Sequence, residues 1–159
     1  MNLIAEIQKL QNYLRAEDFK TVVRGCEKLI KKNPNNPFLF NLLALALHGN
    51  GNYLMAIDRF KRALDLDPNF LPAKNNLANS YKAIEDFEKA EFFYKNVLES
   101  KPNYIQALNN YANLKTMVFD YSSAINLYEK ALKINENDPR ILFALANAYH
   151  SIGKTEKSK

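Results

Sequence analysis

Thirty-four residues separate Pro34 from Pro68 and Pro68 from Pro102, and much of the chain keeps the same step. Ala56, Ala90 and Ala124 follow it, as do Tyr53, Phe87 and Tyr121, and Phe60, Tyr94 and Tyr128. A fixed period of this size constrains the fold more than composition does. Each period is one supersecondary unit that cannot bury its apolar face alone and stacks on copies of itself. Stacked units make extended surfaces more readily than enclosed pockets, so no catalytic activity and no cofactor are expected.

Each unit reads as two helices. In the second, a first helix is predicted from Pro37 to about His48, with Asn36 as N-cap, closing at Gly49-Asn50-Gly51-Asn52. Proline suits the first helical position because its missing N–H would be unpaired there anyway. Phe40, Leu43, Ala44 and Leu47 recur at three and four and form one buried face. A second helix is predicted from about Tyr53 to Leu66, with Ala56, Phe60, Ala63 and Leu64 inward, ending at Asp67-Pro68-Asn69. Ala44, Ala78, Ala112 and Ala146 share one register and Ala56, Ala90 and Ala124 another, where a methyl group lets two backbones approach closely.

The pattern Phe40-x-x-Leu43-Ala44-x-x-Leu47, then Ala56-x-x-x-Phe60, then Pro68, resembles the tetratricopeptide repeat. Lys74-x-x-Leu77-Ala78-x-x-Tyr81, Ala90-x-x-x-Tyr94 and Pro102 repeat it, as do Leu108-x-x-Tyr111-Ala112 and Ala124-x-x-x-Tyr128. The fourth unit departs from it at Lys115, where an aromatic is expected, and at Glu136, where a proline is. The first is degenerate at Lys9. The resemblance implies an all-α fold, a right-handed α-solenoid of about four and a half units forming one array over residues 1–159. The units fall near 3–36, 37–70, 71–104 and 105–138, with a partial one at 139–159. In that last piece Pro139–Tyr149 makes a first helix, and Gly153–Lys159 matches a turn and the opening of a second. Its apolar residues Ile141, Leu142, Phe143, Leu145 and Tyr149 imply either a longer protein or self-association through this helix.

The net charge of +5 raises the question of nucleic acid, but the basic surplus lies in residues 1–36 and 139–159 and the middle units are near neutral. No stripe runs along the array, so nucleic acid is not an expected partner. One cluster remains at Lys20, Arg24, Lys28, Lys31 and Lys32, and it reads as a solvated helix flank. A single cysteine, Cys26, excludes an intramolecular disulfide and falls where other units carry an aromatic, so it belongs to the core. No secretory leader and no run approaching about 20 apolar residues is present, and a cytoplasmic location with no membrane association is expected.

The first helices of such an array line its concave face. Asn41, Asn75 and Asn109 share one register there, Asn76 and Asn110 the next, and Asn79, Asn113 and Asn147 a third. Asparagine is disfavoured inside helices by roughly half a kcal/mol against alanine. Its amide both donates and accepts, so a ladder of them can pair with a peptide backbone whatever the partner's side chains. An extended peptide or partner protein is therefore the expected ligand, although general richness in asparagine would leave the same residues. The ladder is similar to that in the repeat arrays of O-GlcNAc transferases and of bacterial arrays ahead of sulfotransferase or glycosyltransferase domains. That likeness implies an alternative role as the recruiting arm of a larger enzyme. The carboxylate clamp known in the family is not matched at its usual place, because Ile7, Gln11, Pro72 and Asn76 occupy its positions, and two units along Asn75 with Asn79, Asn110 and Arg140 with Ala144 recover only part of it. His48 and His150 lie three units apart, about 30 Å at roughly 10 Å per layer, too far to share a metal ion. No metal site is expected.

Overall fold

The structure, a computed structural model, describes residues 2–157. All the regular elements among them are α-helices, and the chain divides into two compact units, Met1–Asp86 and Phe87–Lys159. The first unit holds α1 (Leu3–Arg15), α2 (Phe19–Lys32), α3 (Pro37–Gly49), α4 (Tyr53–Leu66) and α5 (Leu71–Ala83). Consecutive helices pack on one another, and α3 also touches both α1 and α5. The second unit holds α6 (Phe87–Ser100), α7 (Ile105–Met117), α8 (Tyr121–Leu132) and α9 (Pro139–Lys157). There α7 touches α9 as well as its chain neighbours. The boundary between units falls inside the 71–104 period, between its two helices.

Local chemistry sets the helix ends. The Asn36 side chain accepts the Phe38 N–H at 3.0 Å while Pro37 takes the first turn, as the sequence predicts. Asp18 and Asp120 cap α2 and α8 by accepting from the Thr21 and Ser123 N–H groups at 3.1 and 3.2 Å. Between the two helices of each period the chain makes one left-handed step, at Glu17 (φ 57°), Gly51 (81°), Glu85 (61°) and Phe119 (61°). These positions are one period apart. In each case the next N–H reaches back five residues: Asp18 to Tyr13, Asn52 to Leu47, Asp86 to Tyr81 and Asp120 to Lys115, at 2.8–3.0 Å. This pairing closes the helix end in a Schellman motif. The sequence reading placed turns here but missed their shared backbone, although Asp, Asn, Asp and Asp at 18, 52, 86 and 120 mark it.

Packing follows the repeated alanines. Ala44, Ala78, Ala112, Ala56, Ala90 and Ala124 are fully buried, and Phe60, Tyr94 and Tyr128 are buried beside them. Ala146, expected in the first of these registers, is exposed. It lies on α9, which also leaves Leu142, Phe143 and Tyr149 exposed, whereas Leu108, one period before Leu142, is buried under α8.

The turn expected at Gly153 is not made, because α9 continues through it to Lys157. An interior glycine costs a helix only about 1 kcal/mol against alanine, a penalty that a continuing helix tolerates. Ser158 and Lys159, the end of that expected segment, lie outside the described residues.

Phe119 is the bulkiest residue in a left-handed position, and its side chain is 77% exposed, so it gains little from packing. Phe119→Gly should therefore stabilise the second unit by about 1 kcal/mol, by relieving the left-handed penalty. Gly51→Ala should destabilise the first by a similar amount. Thermal unfolding of the two variants checks both signs.

Candidate functional site

In the first unit the predicted asparagines lie on the seam between α3 and α5. Asn41 is one period before Asn75, Leu45 before Asn79 and His48 before Lys82, so like positions run side by side on two touching helices. Asn76 Nδ2 donates to Asn41 Oδ1 at 3.3 Å, and Asn75 Nδ2 approaches Asn76 Oδ1 at 3.5 Å. Asn41 and Asn75 are buried, while Asn76 and Asn79 are half-buried. Toward the other end of the seam His48 Nδ1 meets the buried Ser80 hydroxyl at 2.9 Å. That hydroxyl donates to the Asn76 carbonyl at 3.2 Å, which leaves its oxygen to accept from Nδ1–H and assigns the free lone pair of the ring to Nε2. Burial, and then the charge of Lys82, push the His48 imidazole below its ordinary value, so it is neutral near pH 7. Its ring packs edge-on to Tyr53 at 5.0 Å.

In the second unit Asn109 and Asn110 are half-buried on α7 and Asn147 is exposed on α9. Asn113 Oδ1 accepts the Tyr128 hydroxyl at 2.5 Å, tying α7 to α8. By burial the predicted residues are graded: Asn41 and Asn75 are buried, Asn76, Asn79, Asn109, Asn110 and Asn113 are half-buried, and Asn147 is exposed.

A second polar cluster was not foreseen from sequence. Glu91 on α6 accepts from the Tyr111 hydroxyl at 2.7 Å and from Lys115 Nζ at 3.0 Å, both on α7, and pairs with Lys95 at 2.7 Å. Lys115 also lies 3.5 Å from Asp120, the cap of α8, and 5.4 Å from the centre of the Tyr111 ring. This accounts for a lysine where the pattern wants an aromatic: its ammonium joins three helices. Burial alone would raise Glu91, but hydrogen bonds from Lys95, Tyr111 and Lys115 outweigh it and hold the carboxyl down at about 2. A depressed carboxylate stabilises the fold above its unfolded value, and that contribution is lost as pH falls through the folded one. The second unit should therefore lose stability as pH drops from about 4.5 toward about 2. Glu91→Gln should flatten that part of the profile and cost about 1–3 kcal/mol at neutral pH. Chemical denaturation across pH measures both.

Other candidates resolve plainly. Cys26 is fully buried, and burial with a smaller push from Glu27 raises its thiol to about 12, which suits a core residue. Lys20, Arg24, Lys28, Lys31 and Lys32 are all exposed on α2. No helix among the described residues is long and apolar enough to cross a membrane.

Three models of the tetratricopeptide repeat match residues 26–58, 47–116 and 120–153. Over 74 residues the chain is 34% identical to the peroxisomal targeting signal receptor of Saccharomyces cerevisiae, a match covering 46% of this chain and 12% of the receptor. Among solved structures it resembles a thermophilic TPR protein of Thermus thermophilus with a TM-score of 0.83 and 18% identity, over 91% of this chain and 80% of that one. It also resembles the first TPR of Spaghetti (RPAP3) bound to the HSP90 peptide SRMEEVD, with a TM-score of 0.70 and 19% identity, over 74% of this chain and 94% of that one. The fold common to these structures is an all-α helical repeat solenoid.

Proposed function

We propose that this chain, which belongs to the tetratricopeptide repeat family, is a protein-interaction module that binds an extended segment of another polypeptide on the first helices of its hairpins. The reading is carried by the amides that reach the surface of those helices: Asn76 and Asn79 on α5, Asn109 and Asn110 on α7, and Asn147 on α9. An amide carries two N–H donors and two acceptor lone pairs, so one already bonded inside the fold keeps capacity for a backbone carbonyl or N–H of an extended chain of any sequence. Asn41 and Asn75 support this face from beneath, through the Asn76 amide they share. The peptide on the RPAP3 repeat and the receptor role of the yeast relative favour a polypeptide as the ligand class.

Binding and supporting amides are separable by substitution. Asn109→Ala with Asn147→Ala should weaken a captured partner segment by about tenfold and leave the melting temperature near that of the parent, at about 0.5–1.5 kcal/mol per lost hydrogen bond. Asn76→Ala should instead lower stability by about 1–3 kcal/mol, because it removes the partner of the buried Asn41. Co-purification of bound polypeptide, followed by titration and thermal unfolding, distinguishes them. Undiminished capture by the Asn109→Ala, Asn147→Ala chain would remove the amide face as the binding surface.

A further inference from the structure

The first unit carries a cation that its own fold leaves without a counter-charge. Lys82 stands in the last turn of α5, half-buried, and burial is the one influence pushing its ammonium below the ordinary value. Among the described residues no carboxylate pairs with it, whereas Arg59, Arg62, Lys95, Lys115 and Arg140 all have one. The two helices of the seam, α3 and α5, contain no Asp or Glu at all. A cation near a helix C-terminus gains from the backbone dipole, which accounts for its place in the last turn. The dipole does not account for burial without a partner, since a desolvated charge is costly unless paired.

His48, one period earlier, stands in the last turn of α3 and feels the charge of Lys82. The bonds from His48 to Ser80 and from Asn76 to Asn41 hold α3 and α5 in this register. The seam therefore offers amides toward one end and a cation beside an imidazole at the other. From Asn76 to Lys82 is about 9 Å along the helix, roughly three residues of extended chain.

Granted that this face binds polypeptide, we infer that Lys82 receives a carboxylate of the bound chain, about three residues from the stretch held by Asn76 and Asn79. Lys82 itself stands at none of the positions of the family's carboxylate clamp. An ammonium supplies a charge-assisted hydrogen bond, and the arriving anion supplies the counter-charge that neither helix provides. A neutral partner would leave Lys82 as it is now. The preferred ligand is thus an acidic segment, whether the carboxylate comes from an Asp or Glu side chain or from a chain terminus.

An array of extended decapeptides tests this with the full chain. It holds neutral peptides with amidated C-termini, the same peptides with one internal Glu, and the same peptides with a free terminus. The parent protein should retain the carboxylate-bearing peptides about tenfold better than the neutral ones. Lys82→Gln should bring them down to the neutral level, while Lys28→Gln, which removes one exposed charge from α2, should keep the preference. A preference for internal Glu or for the free terminus identifies which carboxylate is read. Equal retention of acidic and neutral peptides overturns the carboxylate site and leaves the peptide-binding face standing, as does a preference that Lys82→Gln does not change. A preference lost equally in both variants reduces the effect to net charge and also overturns it. Failure to retain any peptide overturns the binding face together with this site.

Discussion

Close approach of helix backbones at repeated alanines is the constraint on which the rest of the molecule depends. Ala56, Ala90 and Ala124 are at zero exposure, so each methyl is enclosed by its neighbours, as a close approach of helices at these positions requires. Enlarging such a residue would overpack the contact at a cost of about 1–3 kcal/mol. The aromatic four residues later, Phe60, Tyr94 or Tyr128, fills the space this approach leaves on the far side, and truncating it would cost about 3–5 kcal/mol. Small and large positions therefore work as a pair, and the pair recurs because the space it fills recurs.

Close packing obliges any polar group on the inner helices to find a partner. Where tyrosine replaces phenylalanine at the aromatic position, its hydroxyl must be satisfied, and at Tyr128 it is satisfied by Asn113. Where lysine replaces the aromatic of the first helix, at Lys115, Glu91 and Asp120 surround its ammonium. Among the described residues no buried side-chain nitrogen or oxygen lacks a hydrogen-bond partner. The departures at Tyr128 and Lys115 are thus paired departures, each matched by a residue on a neighbouring helix.

Those pairings decide how much could be read from the sequence. The period, the helices and several of their ends were legible because they follow from local chemistry: Pro37 after Asn36 starts α3, and Pro68 after Asp67 closes α4 at Leu66. The left-handed turns were only half legible. Gly51 advertises the conformation, but Glu17, Glu85 and Phe119 adopt it because the helices on either side impose it. The amide register was legible as a pattern and not as a set of roles, since burial separates Asn41 from Asn79 and burial is a tertiary property. The continuation of α9 through Gly153 has the same origin, because a reversal there depends on a second helix to pack against and not on the glycine alone.

Burial grades the polar residues on the face of the first helices. Asn41, Asn75 and Ser80 are polar residues in the interior of a helical layer, where alanine would serve the helix better, and the bonds from Asn76 to Asn41 and from His48 to Ser80 hold the register of α3 on α5. They hold a surface on which the next residues outward, Asn79 and Lys82, are half-exposed. A helix pair with no acidic residue along its length, carrying a desolvated ammonium at one end, has a charge imbalance that internal packing does not correct. The exposed cations of α2 are solvated by water, whereas Lys82 is half-buried, and in the proposed reading a carboxylate of the bound chain replaces the water it has lost.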